Sequence, residues 1–207
     1  MATVVLLPMT GAATLPIAAA ASCAPVEVVF ARGRNEPVGT GLVGDAFVKS
    51  LRAKTKKTVA VYAVNYPADT QIDMGAADMS RHIQYMAANC PKTRLVLGGY
   101  SLGAAATDLV LALPFSAFAF NNPLPPGADQ HIAAVALFGN GSQWAGPIAT
   151  FNPIYQGRTI ELCHGDDPIC NPGKPSTWQA NFADHLQPGY IKSGMVNQAA
   201  NFVAARI

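Results

Sequence analysis

The chain has 207 residues, half of them hydrophobic and 13% charged, with a formal net charge of +2. That length supports one domain with a sizeable core, and the composition excludes a disordered chain or a polyelectrolyte. Arg52, Lys54, Lys56 and Lys57 gather only at the end of a predicted helix, where cations favour the dipole, so nucleic acid is not an expected partner.

Residues 1–21 are apolar and rich in alanine, and Ala19-Ala20-Ala21 offers an A-x-A-like cleavage signal before Ser22 and Cys23. This stretch reads as a secretory signal peptide, although no Lys or Arg precedes the apolar run. Pro8 and Pro16 argue against a stable membrane-spanning helix. The folded domain is therefore expected over residues 22–207.

Val26–Ala31 reads as a strand, and Gly39–Lys54 as a helix with Leu42, Val43, Phe47, Val48 and Leu51 at helical spacing. A second strand spans Val59–Val64. A second helix, Ile72–Ala88, carries Met79, Ile83 and Met86 on one side. Arg94–Leu97 is a strand and Ala104–Leu113 a helix. Pro114–Asp129 holds four prolines and three phenylalanines and is expected to be irregular. Its Phe115, Phe118 and Phe120 pack on the core surface or form an apolar flap near the site. Ile132–Phe138 and Thr159–Leu162 are further strands, and one final helix is predicted over Tyr190–Ala205. Strands that are apolar throughout and alternate with helices imply an α/β fold. About five parallel strands, covered on both faces, would form a three-layer sandwich.

At the junction of the third strand and third helix lies Gly99-Tyr100-Ser101-Leu102-Gly103, a G-x-S-x-G match. Such a motif is a sharp strand-to-helix turn that lifts a serine hydroxyl out of the top of the sheet. The helix that follows favours the negative charge of an oxyanion. A serine nucleophile needs a base, and the base needs an orienting acid. With this kind of elbow the chain order is serine, acid, histidine. Of the four histidines, His82 and His131 come too early and His164 precedes the aspartates. His185, in a predicted loop before the last helix, alone follows a plausible acid. The acid candidates are Asp166, Asp167 and Asp184. Asp184 adjoins His185 in sequence, and neighbouring side chains usually point apart.

The four cysteines, Cys23, Cys90, Cys163 and Cys170, suggest two disulfides and an oxidising compartment. Three pairings are possible, and Cys163–Cys170 is the most economical. A metal site on Cys163, His164, Asp166 and Cys170 is the competing reading, but its spacing fits no zinc pattern.

The stretches Phe30–Glu36, Val61–Pro67, Gly99–Ala104, Ala133–Gly139 and Asp167–Cys170, with Tyr190–Arg206, carry a resemblance. The chain resembles the cutinase family, and within it the secreted cutinase-like esterases of mycobacteria, over essentially all of Cys23–Ile207. The resemblance implies an α/β-hydrolase fold without a large lid and ester hydrolysis through an acyl-enzyme. It carries the nucleophile to Ser101, the acid to Asp167, the base to His185, and the disulfides to Cys23–Cys90 and Cys163–Cys170. Its oxyanion hole falls on the backbone N–H groups of Leu102 and Arg34, where the family usually has glutamine and a hydroxyl residue. Arg34 also offers a cation to an anionic head group. Trp178 and Phe182, joined by Trp144, are candidates for an acyl-chain wall.

The expected function is thus a secreted, extracellular or envelope-associated serine esterase acting on lipid-like or short-to-medium acyl esters. It is expected to be monomeric, to touch lipid surfaces transiently, and to need no metal or organic cofactor. The alternatives are a lipase or phospholipase, a carbohydrate acetyl esterase, and a weakly catalytic lipid-binding protein.

Overall fold

A computed structural model describes residues 23–207 apart from Pro172 and Lys174, so the predicted leader lies outside the described residues. All five predicted strands form: β1 (Val26–Ala31), β2 (Val59–Ala63), β3 (Arg94–Tyr100), β4 (Ile132–Phe138) and β5 (Thr159–Leu162). They make one parallel sheet in the order β2-β1-β3-β4-β5. Apart from Arg94, every residue of the three central strands is buried, whereas the edge strands β2 and β5 are half-buried. This is why the central strands read as continuous apolar runs rather than as alternations.

Successive side chains point to opposite faces. Val29, Ala31, Leu97 and Leu137 pack into one core, and Val28, Phe30, Val96 and Phe138 into the other. The first core is closed by α2 (Ile72–Asn89), through Met79, Ile83 and Met86, and by α3 (Leu102–Ala112). The second is closed by α1 (Gly41–Arg52), through Val43, Phe47, Val48 and Leu51, and by α7 (Met195–Ala204). Leu42 does not join its predicted stripe. It is exposed, and its N–H donates to Glu36 Oε1 at 2.9 Å.

Two helical predictions need correction. The single final helix is two, α6 (Gln187–Lys192) and α7, because Gly194 adopts φ +87 and breaks the run. The loop expected before it contains a helix, α5 (Trp178–His185), which His185 terminates. A short α4 (Ile148–Phe151) precedes β5.

Topology determines where a site can form. The chain steps from β1 outward to β2, then returns across β1 to β3 and continues through β4 to β5. The loops leaving the carboxyl ends of β1 and β3 therefore diverge, opening a crevice at the point where such sheets bind ligands. In the register Ala31 lies opposite Gly99. Hence the loop after β1 and the elbow after β3 meet there.

Both disulfides form as the resemblance implies. Cys23–Cys90 spans 67 residues, and Cys163–Cys170 spans seven. Loop-closure entropy gives about 4 kcal/mol to the first and about 2 kcal/mol to the second. The double variant Cys23→Ser/Cys90→Ser is expected to lose more stability than Cys163→Ser/Cys170→Ser, as read from urea midpoints. The reverse order would show that native contacts, not chain entropy, set the contribution.

Candidate active site

Ser101 stands between β3 and α3 with φ 54 and ψ −118, a conformation that strains any residue with a Cβ. Its neighbours hold it there. The Ser101 N–H donates to the Phe138 carbonyl at 2.8 Å, and the Ser101 carbonyl accepts from the Ala105 N–H at 3.1 Å. A Cβ on Gly99 would strike the Gly103 backbone, and one on Gly103 would strike the Ala31 carbonyl. Both glycines of the motif are thus required by backbone approach, as the sequence pattern implies.

Ser101 Oγ lies 2.7 Å from His185 Nε2, and His185 Nδ1 lies 2.7 Å from Asp167 Oδ2. The imidazole is 6% exposed and Asp167 is fully buried. His185 ends α5, where Tyr100 stacks on its ring at 5.5 Å and donates its hydroxyl to the His185 carbonyl. Asp167 sits in the loop closed by Cys163–Cys170, and the Ile169 N–H donates to its Oδ1 at 2.8 Å. Tyr190 donates its hydroxyl to the same Oδ2 that faces His185. Burial pushes the Asp167 carboxyl up. The hydrogen bonds from His185, Tyr190 and Ile169 outweigh it and hold the carboxyl below its ordinary value. Burial, then the bond to Asp167, pushes the Tyr190 phenol up, so it stays a donor.

The other acids and histidines are engaged elsewhere. Asp184 Oδ2 accepts from the Asp166 N–H at 2.9 Å, and the Asp184 carbonyl lies 3.1 Å from His164 Nδ1. His82 pairs with Glu27 at 2.8 Å, and His131 ends a short 3₁₀ turn before β4. Both thiols that a metal site would need are joined to each other.

The loop after β1 carries Arg34 and is pinned from beneath. Glu36, itself buried, accepts from the Gly33 N–H at 2.7 Å and from the Leu42 N–H. Buried Arg32 donates to the carbonyls of Glu36 at 2.9 Å and Tyr66 at 2.7 Å. Among the described residues, the N–H groups of Arg34 and Leu102 have no protein acceptor. Arg32, Glu36, Tyr100 and Tyr190 received no role from the sequence, although all four lie inside the stretches that carry the resemblance. The available signal for Arg32 and Glu36 was a run of charged and polar residues directly after a wholly apolar strand end. Tyr190 had none.

Phe182 lies 5.6 Å from His185, ring to ring, and is half exposed, as is Trp178 at the start of α5. The side chain of Trp144 lies outside the described features.

Beside the site, Asp108 on α3 and Glu161 on β5 share Asn140 Nδ2, at 3.2 and 3.4 Å, and the Ser142 hydroxyl donates to Asp108. Burial raises both carboxyls above their ordinary values, Glu161 further through the Asp108 charge. A raised folded pKa stabilises below the unfolded value and is lost as pH rises through the folded one. Asp167, held low, works oppositely and withdraws its stability as pH falls through its folded pKa. Between about pH 4 and 7 the melting temperature should fall less in Asp108→Asn than in the parent. Parallel profiles would show that the pair does not titrate in that range.

A parallel sheet whose central strand ends in a strained serine elbow, with a histidine and a buried aspartate aligned behind it, is the framework of an α/β hydrolase. Residues 22–207 match the family model described as Cutinase. The chain is 64% identical over 209 residues to the Mycobacterium tuberculosis protein named probable carboxylesterase Culp2, covering 100% of this chain and 91% of that one. It is 53% identical over 193 residues to the phospholipase Culp4 of the same organism, covering 91% and 81%. A Trichoderma reesei cutinase, solved with a phosphonate inhibitor, matches at 30% identity and a TM-score of 0.65, over 88% of this chain and 76% of the other. The chain belongs to the cutinase family of ester hydrolases.

Proposed function

We propose that the protein is a secreted serine esterase that cleaves lipid-like or short-to-medium acyl esters through an acyl-enzyme. The observation that carries this reading is the continuous contact from Ser101 Oγ to His185 Nε2 and from His185 Nδ1 to Asp167, each at 2.7 Å. Ser101 Oγ attacks the ester carbonyl while His185 Nε2 takes its proton. The oxyanion that forms is held by the N–H groups of Leu102 and Arg34, next to the positive end of α3. The carbon–oxygen bond to the alcohol breaks, and His185 returns the proton to the leaving oxygen. Water then attacks the acyl-enzyme by the same route and frees the acid. Asp167 keeps the imidazole in the tautomer with its proton on Nδ1.

Phe182 and Trp178 supply an apolar wall next to the base. The exposed Val38, Leu42, Phe182 and Leu186 support a transient contact with a lipid surface by a monomeric enzyme. The two disulfides support secretion into an oxidising compartment. A second reading, cleavage of phospholipid esters, is favoured by the phospholipase relative and by the exposed cation of Arg34. Treatment of the oxidised protein with a p-nitrophenyl alkylphosphonate tests the common core of both. One adduct on the Ser101 peptide by mass spectrometry, with loss of p-nitrophenyl butyrate hydrolysis, is expected. An intact mass with no hydrolysis would reject catalysis in favour of a lipid-binding role. Fatty acid release from phosphatidylcholine vesicles separates the two readings.

A further inference from the structure

Of the eight residues of α5 only His185 is buried, so no apolar stripe holds the helix that carries the base. The last carbonyls of a helix also lack donors within the helix. Two of those of α5 are satisfied from elsewhere in the fold. The His185 carbonyl accepts from Tyr100, and the Asp184 carbonyl lies 3.1 Å from His164 Nδ1. A carbonyl only accepts, so His164 Nδ1 carries the proton and donates it. His164 thereby caps the C-terminal end of α5.

The cap comes from an anchored loop. His164 follows Cys163, whose disulfide to Cys170 closes the segment that holds Asp167. The same segment makes a second contact with residue 184, where the Asp166 N–H donates to Asp184 Oδ2 at 2.9 Å. The His164 backbone N–H donates to Tyr190 Oη at 3.3 Å, while the Tyr190 hydroxyl gives its own proton to Asp167. Residue 164 thus touches the supports of both the acid and the base. Its imidazole also rests against Gly189 of α6, where a Cβ would stand 2.7 Å from Nδ1 and 2.9 Å from Cε1. Gly189 lies within a helix, so its bare Cα serves this close approach rather than a turn.

We propose that His164 is a positioning residue for the reaction, which by capping α5 holds His185 in register with both Asp167 and Ser101; the proposal rests on the serine-esterase reading above. His164 acts through His185 and not on the substrate. Proton transfer tolerates little drift of the base, because the imidazole must keep both of its 2.7 Å contacts at once. Without the cap, α5 samples orientations in which Nε2 has left Ser101. The rate constant kcat then falls with the fraction of molecules that remain aligned.

The test is kcat and KM for p-nitrophenyl butyrate, with a thermal melt of each sample. The set is the parent, His164→Ala, His164→Asn, Gly189→Ala, His164→Ala/Gly189→Ala and Ser101→Ala. His164→Ala should lower kcat about tenfold, the shift that one net hydrogen bond controls, with KM held within about twofold. His164→Asn sets an amide N–H where Nδ1 stands and should restore most of that loss. Gly189→Ala pushes the ring off the Asp184 carbonyl and should lower kcat several-fold, yet add little once His164→Ala has removed the ring. Gly189→Ala alone keeps the test decisive if His164→Ala does not fold. Hydrolysis that requires Ser101 but keeps the parent kcat in the folded His164→Ala, or failing that in Gly189→Ala, overturns the positioning role alone. So does a loss that His164→Asn leaves in place, a loss carried by KM, or full additivity in the double variant. A folded, oxidised parent inactive on the ester, or hydrolysis that survives Ser101→Ala, overturns the serine-esterase reading and this role with it.

Discussion

Ser101→Ala is expected to lower kcat for p-nitrophenyl butyrate by about 10⁶ while leaving the protein folded. The loss is large because no other group can stand in. Attack needs an oxygen within reach of His185 Nε2, and Ser101 Oγ at 2.7 Å is the group positioned there. The residual rate over water would come from the oxyanion donors and from binding. Stability should change by no more than about 1 kcal/mol. The elbow is held by the Ser101 backbone N–H and carbonyl and by the bare glycines at 99 and 103, none of which the substitution touches. Steady-state kinetics with a thermal melt of the same sample measures both. A variant that keeps more than a hundredth of the parent rate would remove Ser101 from the mechanism.

Asp167→Asn comes second, with an expected loss of about 10⁴ in kcat and, unlike the serine variant, a loss of stability. Asp167 is fully buried and accepts from His185 Nδ1, Tyr190 Oη and the Ile169 N–H. An amide turns one of its oxygens into a donor that faces donors. With the amide nitrogen at the Oδ2 position, His185 adopts the opposite tautomer and presents an N–H to Ser101 while Tyr190 loses its acceptor; with it at the Oδ1 position, the Ile169 bond is broken. A buried donor left facing a donor costs about 1–3 kcal/mol. Asp166→Asn and Asp184→Asn are the comparators, because the Asp184 carboxylate is committed to the Asp166 N–H while His185 Nδ1 faces Asp167. If Asp184→Asn matched Asp167→Asn in kcat, the orienting acid would be misassigned.

Much of this was readable without coordinates, for identifiable reasons. The central strands are buried on both faces, so β1 and β4 appear as unbroken apolar runs with the bounds expected. Ser101 was visible because its strain is relieved by residues two positions away on either side. The order serine, aspartate, histidine is equally a property of the chain. The helix α5 was missed because of its eight residues only His185 is buried, so it has no apolar stripe to recognise. The break at Gly194 was missed because a helical pattern of apolar residues continues through it.

By itself the sequence determined the sheet and the elbow, since each rests on short-range periodicity or on steric demands between near neighbours. Chain order singled out His185 as the histidine to place beside Ser101. Which of three aspartates faces His185 is a through-space matter, and spacing left it open until the resemblance named Asp167. Only the fold shows why. The loop between Cys163 and Cys170 directs Asp167 inward under the Tyr190 hydroxyl, a residue 23 positions further along the chain. Ile72, Phe118 and Phe151 likewise become neighbours along one cleft only in the fold, once the sheet has stacked α2, α3, α4 and the Pro114–Asp129 segment on one face. Contacts between residues far apart in sequence arise from packing and leave no local pattern to read.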